Sequence, residues 1–100
     1  MLIITGYVYV DPADLAQFMA EMTTLASTAR VCPGCLTYDA AVVDPRSGRL
    51  LISERWVDEA ALSAHLLAGD TIAFVGRWSS RMRGDLRKYD ACNARHIGNC

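Results

Sequence analysis

The stretch that decides the fold is residues 36–57, LTYDAAVVDPRSGRLLISERWV. Two runs rich in β-branched and aromatic residues, 36–43 and 49–57, flank the sequence Asp44-Pro-Arg-Ser-Gly48, which is typical of a turn. Two such runs joined by a short turn predict an antiparallel β-hairpin. The middle of the chain is therefore expected to hold two neighbouring strands.

The segment before the hairpin predicts a strand and then a helix. Leu2 to Val10 is a continuous run of strand-forming residues that contains Gly6. Asp11 and Pro12 are an N-cap followed by a first helical position. Apolar residues then recur every three or four positions, which predicts an amphipathic helix of about five turns. These residues are Leu15, Phe18, Met19, Met22, Leu25, Ala26 and Ala29.

The segment after the hairpin predicts two short helices and a last strand. Asp58 is expected to cap a helix that carries His65 on its apolar stripe, and Asp70 to cap a second helix that includes Trp78. Gly84 should interrupt the chain, and residues 86–94 alternate well enough to form a strand.

This order of elements predicts an α+β domain with the ferredoxin-like split βαβ arrangement, a four-stranded antiparallel sheet with helices on one face. At 100 residues the chain has room for a single domain, 1–100. With 52% hydrophobic residues, the uncovered sheet face would expose a large apolar patch. We therefore expect a homodimer in which a second copy covers that face.

Composition restricts the partners and the compartment. The sequence has no apolar run long enough to span a membrane and no signal-peptide pattern, so it predicts a cytoplasmic protein without a membrane partner. Residues 1–75 carry nine acids and four bases, whereas residues 76–100 carry two acids and six bases. No aromatic stacking pattern accompanies this basic end, so we do not expect a nucleic-acid partner.

Several motifs together resemble the antibiotic biosynthesis monooxygenase family, and its quinol monooxygenases in particular. The most specific is Glu54-Arg-Trp56 at a strand end, followed nine residues after the tryptophan by His65 in Ala-Leu-Ser-Ala-His. The others are Pro33-Gly-Cys-Leu-Thr-Tyr38, Asp44-Pro45 and Glu59-Ala-Ala-Leu62. The resemblance implies a dimeric α+β barrel made of two ferredoxin-like subunits, each with an apolar pocket. It also implies oxidation of quinols or polyphenols by molecular oxygen, with no cofactor: neither flavin nor metal.

Two departures from the family narrow the activity. Val75, Gly76 and Arg77 occupy the place of the axial histidine in the haem-degrading branch, and Tyr7 falls near that branch's asparagine. Haem degradation is therefore not expected. Ile52 replaces an asparagine of the polyketide-quinone branch, which removes one expected donor to the ring oxygens of a substrate.

His65 and Glu54 are the candidate catalytic residues. His65 has an unperturbed pKa of about 6.5 and is suited to remove a phenolic proton; the alternative is a buried or capping histidine. Glu54 lies in an apolar strand, where a carboxylate must be paired or have a raised pKa. Its alternative role is a structural ion pair with an arginine.

Trp56, Tyr7 and Tyr38 are the candidate substrate-binding residues. The indole of Trp56 is suited to stack on a flat aromatic ligand, although a tryptophan in so short a chain also serves as core. Tyr7, Tyr9 and Tyr38 lie in predicted strands, where two of the three on the helix-covered face could bond ligand oxygens.

The four cysteines allow a redox dithiol at Cys32-Pro-Gly-Cys35, or a zinc site completed by Cys92, His96 and Cys100. Free thiols are favoured over both, because the pair leads into a strand and the zinc site needs the tail to fold back. No metal ligand is therefore assigned.

The sequence leaves two functions open. The first is a cofactor-independent monooxygenase acting on a small quinol or polyphenol. The alternative is a non-catalytic dimeric module that binds a small ligand or acts in stress. No phosphate loop, nucleophile elbow or paired-histidine helix motif is present in the sequence, which argues against nucleotide-dependent and hydrolytic chemistry.

Overall fold

The computed structural model describes residues 1–98. Five strands and three helices follow one another in the order β1 Leu2–Val10, α1 Leu15–Arg30, β2 Cys35–Asp44, β3 Arg49–Trp56, α2 Glu59–Leu66, α3 Gly69–Trp78, β4 Met82–Gly84 and β5 Arg87–Asp90. A short 3₁₀ helix, Pro12–Asp14, precedes α1. No helix within these residues is long and apolar enough to cross a membrane.

The strands form one antiparallel sheet in the order β2-β3-β1-β4, with β5 also paired to β1. This is the predicted ferredoxin-like arrangement, with β1 at its centre. The predicted hairpin is present and runs from Cys35 to Trp56.

The predicted last strand over 86–94 is wrong in its bounds. Its place is shared by β4, which pairs with Val8–Val10, and β5, which pairs with Leu2–Thr5. Gly84 ends β4 instead of interrupting the chain. The break between β4 and β5 lies opposite Gly6, where a Cβ atom would lie 2.1 Å from the carbonyl oxygen of Asp85. The backbone of residue 85 therefore occupies the space that a side chain would need.

The sequence predicts an N-cap at three aspartates, and the structure has the predicted helix start at one of them. The Asp58 carboxylate accepts from the backbone N–H of Ala61 at 2.9 Å and caps α2 as predicted. Asp11 caps the 3₁₀ helix, so α1 begins later than expected. Asp70 is not an N-cap: α3 begins at Gly69, and the Asp70 carboxylate accepts from the adjacent N–H of Thr71.

The core lies between the helices and one face of the sheet. Its largest fully buried side chains are Trp56, Trp78, Phe18, Leu50, Ile52 and Val8. Phe18 of α1 stacks on Phe74 of α3 with ring centroids 5.4 Å apart, and Trp78 packs on the same ring at 5.0 Å. Burial of each such side chain contributes roughly 1.5–3 kcal/mol, so this layer fixes both helices on the sheet.

The opposite face of the sheet, which we call the open face, carries exposed apolar and basic side chains. Tyr7, Leu51 and Tyr89 are each more than a third exposed there. The guanidinium of Arg49 lies 4.8 Å from the centre of the Tyr7 ring, and that of Arg83 lies 5.0 Å from Tyr9. The Nε atom of Arg49 is buried without a hydrogen-bond partner. Part of this face is thus apolar surface with an unsatisfied donor.

Candidate functional site

Four buried side chains meet under α2, and we call them the buried cluster: Tyr38, Glu54, Trp56 and His65. Glu54 and Trp56 are two residues apart on β3 and so share a face of the sheet. Tyr38 is the β2 register partner of Glu54. The sheet therefore fixes three members of the cluster before any helix is added.

His65 completes the cluster from the helix above. The chain passes from the end of β3 into α2 within two residues, so the helix returns directly over the strand. The His65 ring stacks on Trp56 with centroids 4.8 Å apart and an angle of 29° between the planes. The Tyr38 ring meets His65 edge-on at 5.3 Å and Trp56 at 6.4 Å. The sequence-predicted pair Trp56 and His65 is thus in direct contact.

Glu54 is held by neutral donors within the cluster. The indole Nε1 of Trp56 donates to the Glu54 carboxylate at 3.0 Å. Burial raises the pKa of Glu54, and hydrogen bonds from Trp56 and Tyr38 only partly oppose this effect. The predicted structural alternative, an ion pair with arginine, is wrong, since the salt bridges within residues 1–98 do not include Glu54. Glu54 is therefore a carboxyl group biased toward its neutral form.

Tyr38 stays protonated. Burial and the nearby charge of Glu54 both raise the pKa of its phenol far above the ordinary value. A protonated phenol donates, and Glu54 is its acceptor in the cluster. Tyr38 therefore supports Glu54 in this structure.

His65 is biased toward the neutral imidazole. Burial lowers its pKa, and the charge of Asp70 raises it by a smaller amount. The hydroxyl of the buried Thr71 lies 3.4 Å from Nδ1 of His65. A neutral imidazole can accept a proton, as a general base must. Thr71 and Asp70 were not singled out from the sequence as neighbours of His65, because no motif ties them to it.

A surface cavity of about 460 Å³ reaches the cluster at His65. Its walls are the loop between α1 and β2, one side of α2 along most of its length, and the two residues that link β3 to α2. They comprise Cys32, Pro33, Gly34, Val57, Asp58, Ala60, Ala61, Ala64 and His65. Most of these side chains are small or apolar, so the cavity is suited to a small apolar ligand with one polar group facing the imidazole.

Tyr7 lies apart from the other predicted site residues. It occupies the open face, where it lines a different cavity of about 490 Å³ with Tyr9, Leu51 and Tyr89. Tyr38 is therefore on the helix-covered face and Tyr7 is not, so the expectation that Tyr7 lies beside the other site residues is wrong. Contact of Tyr38 with a ligand stays a prediction. The sheet separates Tyr7 from His65.

The cysteines resolved by the structure are thiols. Cys32, Cys35 and Cys92 are unpaired, and residues 1–98 contain no group of three or more His, Cys, Asp or Glu side chains placed to hold a metal ion. Cys100, which the zinc alternative required, lies outside the described residues.

Comparison with known proteins assigns the chain to a family. Residues 1–77 match the family model described as antibiotic biosynthesis monooxygenase. The chain belongs to the antibiotic biosynthesis monooxygenase family. The resemblance carried by Glu54, Trp56 and His65 is thereby confirmed at the level of the family. No curated protein matches the sequence significantly.

Several solved structures share the fold. A candidate antibiotic biosynthesis monooxygenase of Deinococcus radiodurans has a TM-score of 0.87 and 22% identity, covering 97% of this chain and 98% of its own. A second antibiotic biosynthesis monooxygenase has a TM-score of 0.81 and 25% identity over 93% and 100% of the two chains. A Bacteroides thetaiotaomicron protein of unknown function, described as a possible oxidoreductase, has a TM-score of 0.80 and 20% identity, covering 88% of this chain and 94% of its own. This family member thus has the family fold along almost its whole length.

Proposed function

We propose that this protein is a cofactor-independent monooxygenase that oxidises a small quinol or polyphenol with molecular oxygen. The observation that supports this best is the position of His65: an imidazole whose pKa is lowered by burial, stacked on Trp56, that forms part of the wall of a largely apolar cavity. In the proposed reaction His65 removes a phenolic proton from a substrate in that cavity. The resulting phenolate is electron-rich enough to react with oxygen.

The other cluster residues have supporting roles in this proposal. Trp56 supplies a flat apolar surface behind the imidazole, and its N–H is held by Glu54. Tyr38 donates to the same carboxyl group. Glu54 is the second candidate base, and it can take the proton only in its ionised form, which burial disfavours. No metal or organic cofactor takes part.

A second candidate function is a non-catalytic module that binds a small ligand or acts in stress. Trp56 is completely buried and Tyr38 is 4% exposed, so the interior between sheet and helices is packed. In this alternative the ligand enters the cavity beside His65 and no oxidation follows. The same residues bind, and none of them needs to transfer a proton.

We further propose that the protein works as a cytoplasmic homodimer joined through the open face. Tyr7, Leu51 and Tyr89 present apolar surface there, and the Nε donor of Arg49 is left unsatisfied. A second copy would cover both. The resulting interface should bury more than about 2,000 Å² in total, as in obligate dimers.

Oxygen uptake with a panel of quinols and polyphenols tests the oxidation. The purified protein, treated with a chelator to remove adventitious metal, is expected to consume oxygen in proportion to enzyme concentration. Binding of the same compounds is measured in parallel by calorimetry under nitrogen. Binding without any oxygen uptake across the panel would refute the monooxygenase and support the alternative.

A further inference from the structure

The loop Cys32-Pro33-Gly34-Cys35 is a closed reverse turn. The N–H of Cys35 donates to the carbonyl of Cys32 at 3.2 Å, and Gly34 has φ of 85°. Proline at the second position and a glycine of positive φ at the third are the signature of a type II turn. In such a turn the first and fourth Cα atoms lie less than about 7 Å apart. Disulfides join Cα atoms separated by roughly 4.4–6.8 Å, so the turn places these two cysteines within reach of each other.

The turn is firmly attached to the rest of the site. The N–H of Val57 donates to the Gly34 carbonyl at 2.8 Å, and a Cβ atom on Gly34 would lie 2.5 Å from the Cβ of Ala61 on α2. Each thiol donates to a backbone carbonyl: Cys32 to that of Thr28 at 3.5 Å, and Cys35 to that of Thr37 at 3.7 Å. A thiol is a weak donor, so little holds either sulfur in its present rotamer.

Both thiols are partly exposed, but their surroundings differ. Cys32 lines the cavity that reaches His65. Cys35 packs against the core as the register partner of Trp56, and burial raises the pKa of its thiol. Cys32 is therefore the sulfur that a reagent in the cavity meets first.

We propose that Cys32 and Cys35 are a reversible dithiol that closes to a disulfide at the wall of the His65 cavity, by exchange with a low-molecular-weight disulfide. The Cys32 thiolate attacks one sulfur of that reagent, its S–S bond breaks, and one thiol leaves. The Cys35 thiolate then attacks the Cys32 sulfur and releases the second thiol. Two protein thiols are oxidised, one small disulfide is reduced to two thiols, and both protons pass to the released thiols.

The position of the pair makes it a regulatory site and not an oxidoreductase centre. Cys32 directly follows the C-terminal end of α1, where the helix dipole does not favour a thiolate. Exchange should therefore be slow. Closure moves the Cys32 sulfur from the cavity wall toward Cys35, which alters the cavity beside His65. This chemistry does not depend on the proposed oxygenase activity.

The test uses the full chain carrying Cys92→Ser and Cys100→Ser. This protein is equilibrated without oxygen in mixtures of oxidised and reduced glutathione, the remaining thiols are alkylated, and the mass of the intact chain is measured by mass spectrometry. We expect most chains to lose two hydrogen atoms and escape alkylation at a roughly tenfold excess of oxidised glutathione, and to recover in reduced glutathione. The further variants Cys32→Ser and Cys35→Ser should form only mixed disulfides. If the starting protein also forms only mixed disulfides, the proposal is overturned.

Proton NMR of the two histidines tests the effect on the cavity. Oxidation should shift the ring resonances of His65 and leave those of His96 in place. A disulfide that forms without moving the His65 resonances would overturn the link between this pair and the cavity.

Discussion

At the residue scale, Glu54 and His65 respond to the same burial in opposite directions. Burial raises the pKa of the carboxyl group and lowers the pKa of the imidazole. Both shifts favour the neutral form, which is the expected response of unpaired groups removed from water. The cluster thus brings a proton acceptor and a weak acid into one apolar site.

Replacement of His65 by alanine tests its role as the base. We expect His65→Ala to slow quinol oxidation by on the order of 10²-fold or more, while ligand binding is nearly unchanged. The loss should shrink at high pH, because the phenol then ionises without help. The measurement is the oxygen-uptake rate from pH 6 to pH 10, with His96→Ala as the matched control. Parental rates for His65→Ala across this range would remove His65 from the mechanism.

Replacement of Glu54 by glutamine tests the neutral carboxyl group through stability. Burial raises the pKa of Glu54 in the folded state above its ordinary value of 4.5. The contribution of the neutral carboxyl group to stability is therefore complete below pH 4.5 and is lost as the pH rises through the folded-state pKa. Glu54→Gln cannot ionise, so its stability should exceed that of the parent at neutral pH and approach it below pH 4.5. Urea unfolding at several pH values measures this. A parent that gains stability relative to Glu54→Gln as pH rises would contradict a buried, unpaired carboxyl group.

Part of this cluster was predictable and part was not. Strand periodicity puts Glu54 and Trp56 on one face, and the short link to α2 brings His65 back over them. The face of Tyr7 was not predictable, because both faces of β1 are apolar: Leu2 and Val8 point one way, Ile3 and Tyr7 the other. The contact of Thr71 with His65 depends on the angle between α2 and α3, which no local pattern encodes.

At the element scale, α2 has only eight residues and depends on its first hydrogen bond. We expect Asp58→Ala to lower the free energy of unfolding by about 1 kcal/mol, because the N–H of Ala61 loses its acceptor. Asp58→Asn keeps an acceptor and should remain close to the parent. Denaturant unfolding of the three proteins provides the comparison. Equal stability of Asp58→Ala and the parent would show that packing alone holds the start of α2.

Some helices and strands could be predicted from local sequence, whereas the bounds of others depend on contacts between distant segments. The hairpin, β1 and α2 follow from local signals: strand-forming runs, the 44–48 turn and the Asp58 cap. The division of the last strand into β4 and β5 follows instead from the passage of residue 85 over Gly6, a contact between segments about eighty residues apart. Asp70 resembles a cap, but the helix starts one residue earlier because the link from α2 is so short.

At the scale of the whole molecule, the open face is the surface through which we propose that two copies associate. We expect the 11.0 kDa chain to behave as a dimer of twice that mass in light scattering at micromolar concentration. Leu51→Asp places a charge on this face and should give a monomer. Leu67→Asp, at a residue 75% exposed beyond α2, is the matched control and should stay dimeric. A parent protein with the mass of a monomer would refute the dimer.

The central position of β1 has a consequence for synthesis on the ribosome. The strand is translated before its partners, which are residues 49–56 on one side and residues 82–90 on the other. A nascent chain therefore cannot pair β1 with β3 until residues 49–56 have emerged, and it cannot pair the other edge of β1 until residues 82–90 have emerged. Until then the backbone N–H and C=O groups of β1 lack their strand partners, so we expect the emerging chain to be prone to aggregation through this strand.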